Sequence, residues 1–402
     1  MSNDERVLGY VDSHRGEVIA FLQRLIRTES ITGNEAKIAR LVDEECRKDG
    51  LETELVEPEP NRISVVARYK GTAGKPRVMW YSHYDTLPPG DLREWAHPPF
   101  SADIADGQIW GRGASDNKSA TCASIMAFRA VKTLGIKLRG DILFTHVCDE
   151  EKAGKYGFKN LIDKGYGEGI DYLFYPHGGA PDRIGIASNG GRKFAINVKG
   201  KAASTSNLEQ GINAIYNASK LITQLQKLAD EVNSRTYHLP GTDSIMRSRF
   251  SVNKCQAYVA DNSVPHDCEL RIDRRYTPSE TPEMIQKEIQ DVIDELKKSD
   301  PKFDAELSAT PGMDVSVSSA DSELVKSVQR CAKKLIGYEP KPVGGSHSSD
   351  HGFFNSRYHK PLASYGIGGV GIHAPNEHIG VEDIILTTKF HALLLLDLLG
   401  AT

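Results

Sequence analysis

The sequence predicts an α/β protein built on a largely parallel central sheet, with an α+β segment inserted into it. Three observations carry that expectation. Short apolar runs, RVMWYSH (77–83), DILFTHV (141–147) and DYLFYP (171–176), have the continuous character of strands buried on both faces. Segments of helical periodicity alternate with them, the order that lays helices over a parallel sheet. Between residues 190 and 310 the grain changes, and Phe194, Ile196 and Val198 alternate as in a strand with one wet face.

Taken in order, Val7, Leu8, Val11, Val18, Ile19, Leu22, Leu25 and Ile26 recur at helical spacing and open the chain with helix. A second helix runs from an N-cap at Asn34 through Ile38, Leu41 and Val42 to a stop at Gly50. RISVVARY (62–69) and RVMWYSH are strands. After Asp116, SATCASIMAFRAVKTLG is a helix ended by Gly135; DILFTHV, a helix-like stretch and DYLFYP follow. The inserted segment holds the strand RKFAINV (192–198) and a helix bearing Ile212, Ile215, Ile222, Leu225 and Leu228. Strands around 250–259 and at CELRIDRRY, a helix capped at Thr281 and a last strand near 303–307 complete it. A helix restarts at Asp321 and stops at Gly337, LASYGIG (362–368) is a strand, and EDIILTTKFHALLLLDLL (382–399) is the closing helix. The expected body is therefore 1–189 with 311–402, and the insert 190–310.

Composition excludes several classes. A chain of 402 residues carries a prior of two to three domains at ~150 residues each. Fifty basic against fifty-four acidic residues leave a net charge of −4, which offers no field for nucleic acid or a membrane surface. No apolar run reaches the ~18 residues of a spanning helix. MSNDERVLGY lacks the apolar core of a signal peptide. Six cysteines without a CxxC pair fit free thiols in a reducing cytoplasm.

The chemistry lies in where acids and imidazoles fall. VMWYSH ends in His83, with Asp85 two residues on; DILFTHV runs into Cys148, Asp149, Glu150 and Glu151; DYLFYP runs into His177; His373 follows the SYGIG strand. Four buried strands thus each deliver a metal-capable residue past their C-terminal ends, where open α/β sheets bind ligands. Asp116 follows the turn GRGAS at the start of a helix. Histidines, a carboxylate able to bridge and a carboxylate pair suit zinc, cobalt or manganese. Two such ions sharing a water would generate hydroxide near neutral pH, with a neighbouring carboxylate as general base. The run from Gly366 to Gly371 matches a dinucleotide pattern, but His373 and Pro375 stand where a helix would have to begin, so it is set aside.

The stretch SHYDTLPPGDLREWAHPPFSADIADGQIWGRGASDNKSA resembles the core motif of the dinuclear metallo-amidohydrolases and metallopeptidases that include acetylornithine deacetylase, succinyl-diaminopimelate desuccinylase, aminoacylase-1, carboxypeptidase G and carnosinase. CDEE, GGRKFAINVKGKAA, ADNSVPHDCELRIDRRYTPSETPE, GGSHSSDH and IHAPNEHI continue it along nearly the whole chain. The resemblance implies a zinc-peptidase-like catalytic domain with an inserted ferredoxin-like lid and dimerisation domain, two divalent metals per chain (zinc, or manganese or cobalt), and a homodimer formed through the insert. It implies that His83 holds one metal, that Asp116 bridges it to a second held by Glu151 and His373, that His177 is a further metal ligand, that Glu150 is the general base, and that Asp85 orients His83. His177 stands where many relatives carry an acid. Arg275, Asn262, Ser204, Ser349 and His351 match substrate-side positions. Relatives commonly place a histidine in the insert as oxyanion donor; here that position is Ser204. His347 and His351 read as exposed loop histidines or as its replacement.

The expected reaction is metal-hydroxide cleavage of an amide in a small, carboxylate-bearing N-acyl amino acid or peptide-like substrate. Ser204 and His177 motivate an alternative, hydrolytic deamination on the same centre. A catalytically silent binding protein of the same fold is the third reading.

Overall fold

The computed structural model describes residues 1–177 and 179–402. Its nine-stranded main sheet runs in the order Glu52–Glu59, Arg62–Tyr69, Asp141–Val147, Arg77–His83, Tyr172–Pro176, Leu362–Tyr365, Arg183–Ser188, Ser316–Val317, with Lys341–Gly345 pairing parallel to Arg183–Ser188. The four strands predicted to deliver site residues are adjacent and mutually parallel. Their C-terminal ends therefore share one edge.

Alternation along those strands builds two cores. Val78 and Trp80 face helices Lys118–Thr133 and Val381–Leu399, where Trp80 meets the Phe174 ring at 4.6 Å. Met79 and Tyr81 point the other way, toward Phe158–Asp163 and Gly352–Tyr358. This two-sided burial is why the strands read as unbroken apolar runs.

The insert is a four-stranded antiparallel sheet in the order Arg249–Gln256, Asp267–Tyr276, Gly190–Lys199, Asp304–Met313. Helices Ala214–Ser234 and Pro282–Ser299 cover one face, and Ile196, Leu225, Leu270 and Ile289 fill a core separate from that of the body. The order strand–helix–strand–strand–helix–strand is ferredoxin-like. Thr281 caps the second helix by accepting the Met284 N–H, with Pro282 in the first turn.

The details differ from expectation in physical ways. The opening helical segment is two helices, Asn3–Ser13 and Arg15–Arg27, broken at His14, whose ring stacks on Tyr10 at 3.9 Å. The second helix, Ala36–Lys48, has Glu35 rather than Asn34 at its N-cap. Glu52–Glu59 is an edge strand with only Val56 buried, so it shows no apolar pattern. LASYGIG pairs only over Leu362–Tyr365, where the glycines begin. A hairpin within the insert's sequence, Thr236–His238 with Ile245–Arg247, leaves that domain's core and seats Leu239 and Met246 in the body. Among the described residues no helix is long and apolar enough to cross a membrane. All six cysteines are free thiols.

One buried ion cluster ties helix Ala36–Lys48 to its neighbours. Glu45 accepts Arg129 Nη2 at 2.8 Å, and Arg24 and Lys48 at 3.0 Å. Burial works against its ionised form, but these three cations hold its pKa down to about 2. A depressed folded pKa gives stability that is present above the ordinary value of 4.5 and lost as pH falls toward 2. Glu45→Gln should therefore destabilise the protein at pH 7, and the gap from wild type, measured by urea unfolding, should narrow on acidification toward pH ~3.

Candidate active site

The shared edge gathers its side chains around Asp116. His83 Nε2 lies 3.0 Å from Asp116 Oδ1, and His177 Nε2 lies 3.4 Å from the same oxygen. The other oxygen, Oδ2, faces His373 Nε2 at 3.4 Å, and that nitrogen is 3.0 Å from Glu151 Oε2. The two Asp116 oxygens thus address two separate donor groups. Ligand atoms of Asp116, Glu151 and His373 all lie within 4.8 Å of one another.

Two features show that these residues fit divalent cations. Separations of 3.0–3.4 Å match the edge of a tetrahedron with bonds of ~2.1 Å, which is about 3.4 Å. Asp85, Asp116, Glu150 and Glu151 are also crowded together, yet among the described residues none of them pairs with a lysine or arginine. Buried charges are paired or coordinate metals.

The electrostatics agree. Burial would raise the Asp116 pKa, but His177, His373 and His83 hold it well below the usual carboxylate range. His83 is pushed well above its ordinary value, against burial, by Asp116 and Asp85. Hydrogen bonding to Asp116 lifts His373 to about 9. Burial, then repulsion from Asp116, lifts Glu151 to about 8; burial also raises Glu150.

An outer layer fixes this constellation. Asp85 Oδ1 is 3.5 Å from His83 Nδ1, and its carboxylate accepts the N–H groups of Glu150 at 3.1 Å and Glu151 at 3.3 Å. It therefore positions the acidic pair as well as the imidazole. Asp149, with φ +69°, turns the chain ahead of that pair and is ion-paired to Arg62, which also meets Glu35 at 3.1 Å. The sequence gives no hint of Glu377 beyond its place in IHAPNE. It is buried and accepts the backbone N–H groups of Gly113, Ser115 and Asp116 at 2.9–3.0 Å, and Arg112 Nη1 at 2.8 Å. The dinucleotide-like glycines serve packing: Gly369 has φ +92°, and a Cβ there would stand 2.3 Å from Ser115 Oγ.

The cleft has two arms that meet at Glu150, Ser348 and His373. One, about 450 Å³, is lined by Tyr175, His177, Arg183, Val343, His347 and Tyr365. The other, about 470 Å³, runs between body and insert and carries Lys152, Arg192, Lys193 and Arg275. A larger hollow of about 850 Å³ sits at the opposite end of the strands, near Arg77 and Asp141, with lining of mixed charge and none of the clustered residues.

The substrate-side expectations divide. Ser349 donates to Glu150 Oε1 at 3.2 Å, and Arg275 reaches the second arm, its Nη1 donating to Ser348 at 2.8 Å. His351 is buried behind the cleft rather than exposed in a loop. Its Nε2 lies 3.3 Å from Ser316 Oγ, and burial holds its pKa down to about 3. Ser204 and Asn262 are exposed neighbours on the insert and line neither arm: the Asn262 carbonyl accepts the Thr205 N–H, and Ser204 Oγ accepts that of Ser206. His347 lines the first arm and, unlike His351, is exposed.

Residues 79–397 match the model of peptidase family M20/M25/M40. The chain belongs to this family. Succinyl-diaminopimelate desuccinylase of Hydrogenovibrio crunogenus is 26% identical over 394 residues, covering 95% of this chain and 99% of that one. An M20 family metallo-carboxypeptidase from Sulfolobus solfataricus shares the fold with a TM-score of 0.79 at 21% identity, over 94% of this chain and 98% of the other. The Bacillus subtilis M20 protein described as a dinuclear metal binding peptidase superposes with a TM-score of 0.74 at 18% identity, over 96% and 99%. This M20 member is a hydrolase acting on C–N bonds.

Removing the Glu377 carboxylate should strand three backbone donors and a buried arginine. Glu377→Ala is expected to lose about 3–5 kcal/mol of stability and to lower metal stoichiometry, read by chemical unfolding and elemental analysis. Glu377→Gln should be milder on both.

Proposed function

We propose that this M20 enzyme is a dinuclear metal-dependent amidohydrolase that cleaves a small, carboxylate-bearing N-acyl amino acid or peptide, with Glu150 as general base. The observation that carries the reading is the division of Asp116, one oxygen toward His83 and His177 and the other toward the His373–Glu151 pair. Each group would hold one ion, zinc by donor chemistry, with manganese or cobalt as competitors. When bound, the ions supply Lewis acidity, polarising a carbonyl and acidifying a water.

The protein's own groups do the rest. Glu150 lines both arms, and its raised pKa suits a carboxylate that takes a proton from water and returns it to the departing amine. Ser349, donating to Oε1, fixes its orientation. The basic arm supports an anionic substrate: Arg275 and Arg192 are held by Asp273 and Asp314, whereas Lys152 and Lys193 have no carboxylate partner among the described residues.

Two features support a homodimer through the insert. Arg249–Gln256 and Asp304–Met313 are edge strands, and Leu208, Tyr216, Tyr258 and Val259 are exposed apolar side chains of the same domain. Ser204 and Asn262 lie on this same domain, outside their own chain's cleft, which suits a contribution to the partner's. The free thiols support a reducing, cytoplasmic setting.

A panel of N-acetyl, N-succinyl and N-formyl amino acids and dipeptides, scored for amine against ammonia release, tests the reaction; amine release is expected, and ammonia would indicate deamination. Glu150→Gln should keep its metal and lose ~10²–10⁴ in kcat; near-normal turnover would overturn the mechanism. Light scattering should give twice the chain mass, and Tyr258→Asp should shift it toward the monomer.

A further inference from the structure

Amide hydrolysis puts negative charge on the former carbonyl oxygen, and a donor aimed at that oxygen is worth ~10²–10³ in rate. At the insert position from which such a donor is expected stands Ser204, exposed outside its own chain's cleft, whose hydroxyl is a shorter donor than an imidazole and a neutral one. Inside the cleft several side-chain donors are committed. The Ser349 hydroxyl goes to Glu150, Arg275 Nη1 goes to Ser348, and Arg275 Nε and Nη2 go to Asp273.

His347 differs. It lines the 450 Å³ arm together with Asp116, Glu150, His177 and His373, and among the described residues its ring nitrogens make no hydrogen bond to protein. Its position is nonetheless fixed. The His347 carbonyl accepts the Asn189 N–H at 3.0 Å, and Asn189, fully buried, is tied to the Arg247 carbonyl at 2.8 Å. The ring lies over Gly345, where a Cβ would meet it at 2.4 Å, so the glycine makes the room the imidazole occupies.

We propose that His347 is a catalytic residue that donates a ring N–H to the substrate carbonyl oxygen as that oxygen takes on charge, the role an imidazole on the insert would otherwise fill. The assignment rests on the amidohydrolase reading above. It makes the donor part of the same chain as the metal ligands and places it on the first arm. The substrate's scissile carbonyl would then point toward His347 while its carboxylate lies in the second arm, toward Lys152 and Lys193.

The test uses metal-loaded wild type, His347→Ala and His347→Gln, with a panel substrate, its phosphinic isostere as tetrahedral probe, and the carboxylate product. His347→Ala is expected to keep full metal content, lose ~10²–10³ in kcat with little change in KM, and recover part of the rate with added imidazole. The isostere should weaken by the same factor while product affinity holds, and His347→Gln, which keeps an N–H donor, should fall between. Turnover of His347→Ala within about threefold of wild type, or equal weakening of isostere and product, would overturn the assignment. So would a full loss in Ser204→Ala with His347→Ala normal. A wild type inactive on the whole panel would instead strike the proposed substrate class, and the split between isostere and product would still decide the role of His347.

Discussion

The carboxylate of Asp116 has two oxygens and three imidazoles to answer, and the rest of the molecule is arranged around keeping it where it can do so. Its backbone N–H is held by Glu377, from a segment 261 residues away in sequence. The histidines arrive from the ends of two parallel strands and from the loop beyond a third. The acidic pair arrives from the fourth and is pinned through its N–H groups by Asp85. These groups come from distant parts of the chain, so the centre exists only in the folded protein. Metal affinity and folding are then one linked equilibrium, in which free ion concentration contributes to stability by mass action.

Much of this is legible in the sequence because parallel strands advertise themselves. His83, Glu150, Glu151 and His177 stand directly past runs whose unbroken apolar character marks burial on both faces, and the sheet makes those runs neighbours. The alternation of Phe194, Ile196 and Val198 similarly exposes the insert, which has one wet face. What is not legible lacks a local period. Glu377 works through backbone donors that carry no residue identity. The strand Glu52–Glu59 buries one side chain and so has no pattern to read. His351 sits among glycines and serines that suggest a loop, yet Ser188, Ser316 and Tyr175, all distant in sequence, enclose it.

The cleft divides its labour by charge. The arm toward the insert concentrates lysines and arginines, and the arm within the body offers Tyr175, Tyr365, Val343 and His347. Two carboxylates restrain two of the four cations, which keeps the arginines oriented and leaves Lys152 and Lys193 without a carboxylate partner among the described residues. A substrate with one charged and one less polar end would be aligned by this asymmetry before any contact with the catalytic groups, an orientation effect that also raises encounter rates at low ionic strength.

The hairpin that carries Leu239 and Met246 into the body gives the insert an apolar anchorage beyond its two chain crossings. Met246 fills space left open by Gly344, where a Cβ would stand 2.6 Å from the Met246 sulfur. The two domains are therefore riveted as well as linked. A swing of the insert has to pivot about that hairpin or pull two apolar side chains out of a packed interior. Nor is the body self-sufficient with a detachable lid: cut free of the insert, it would be left with a hole beneath the strand that leads to His347.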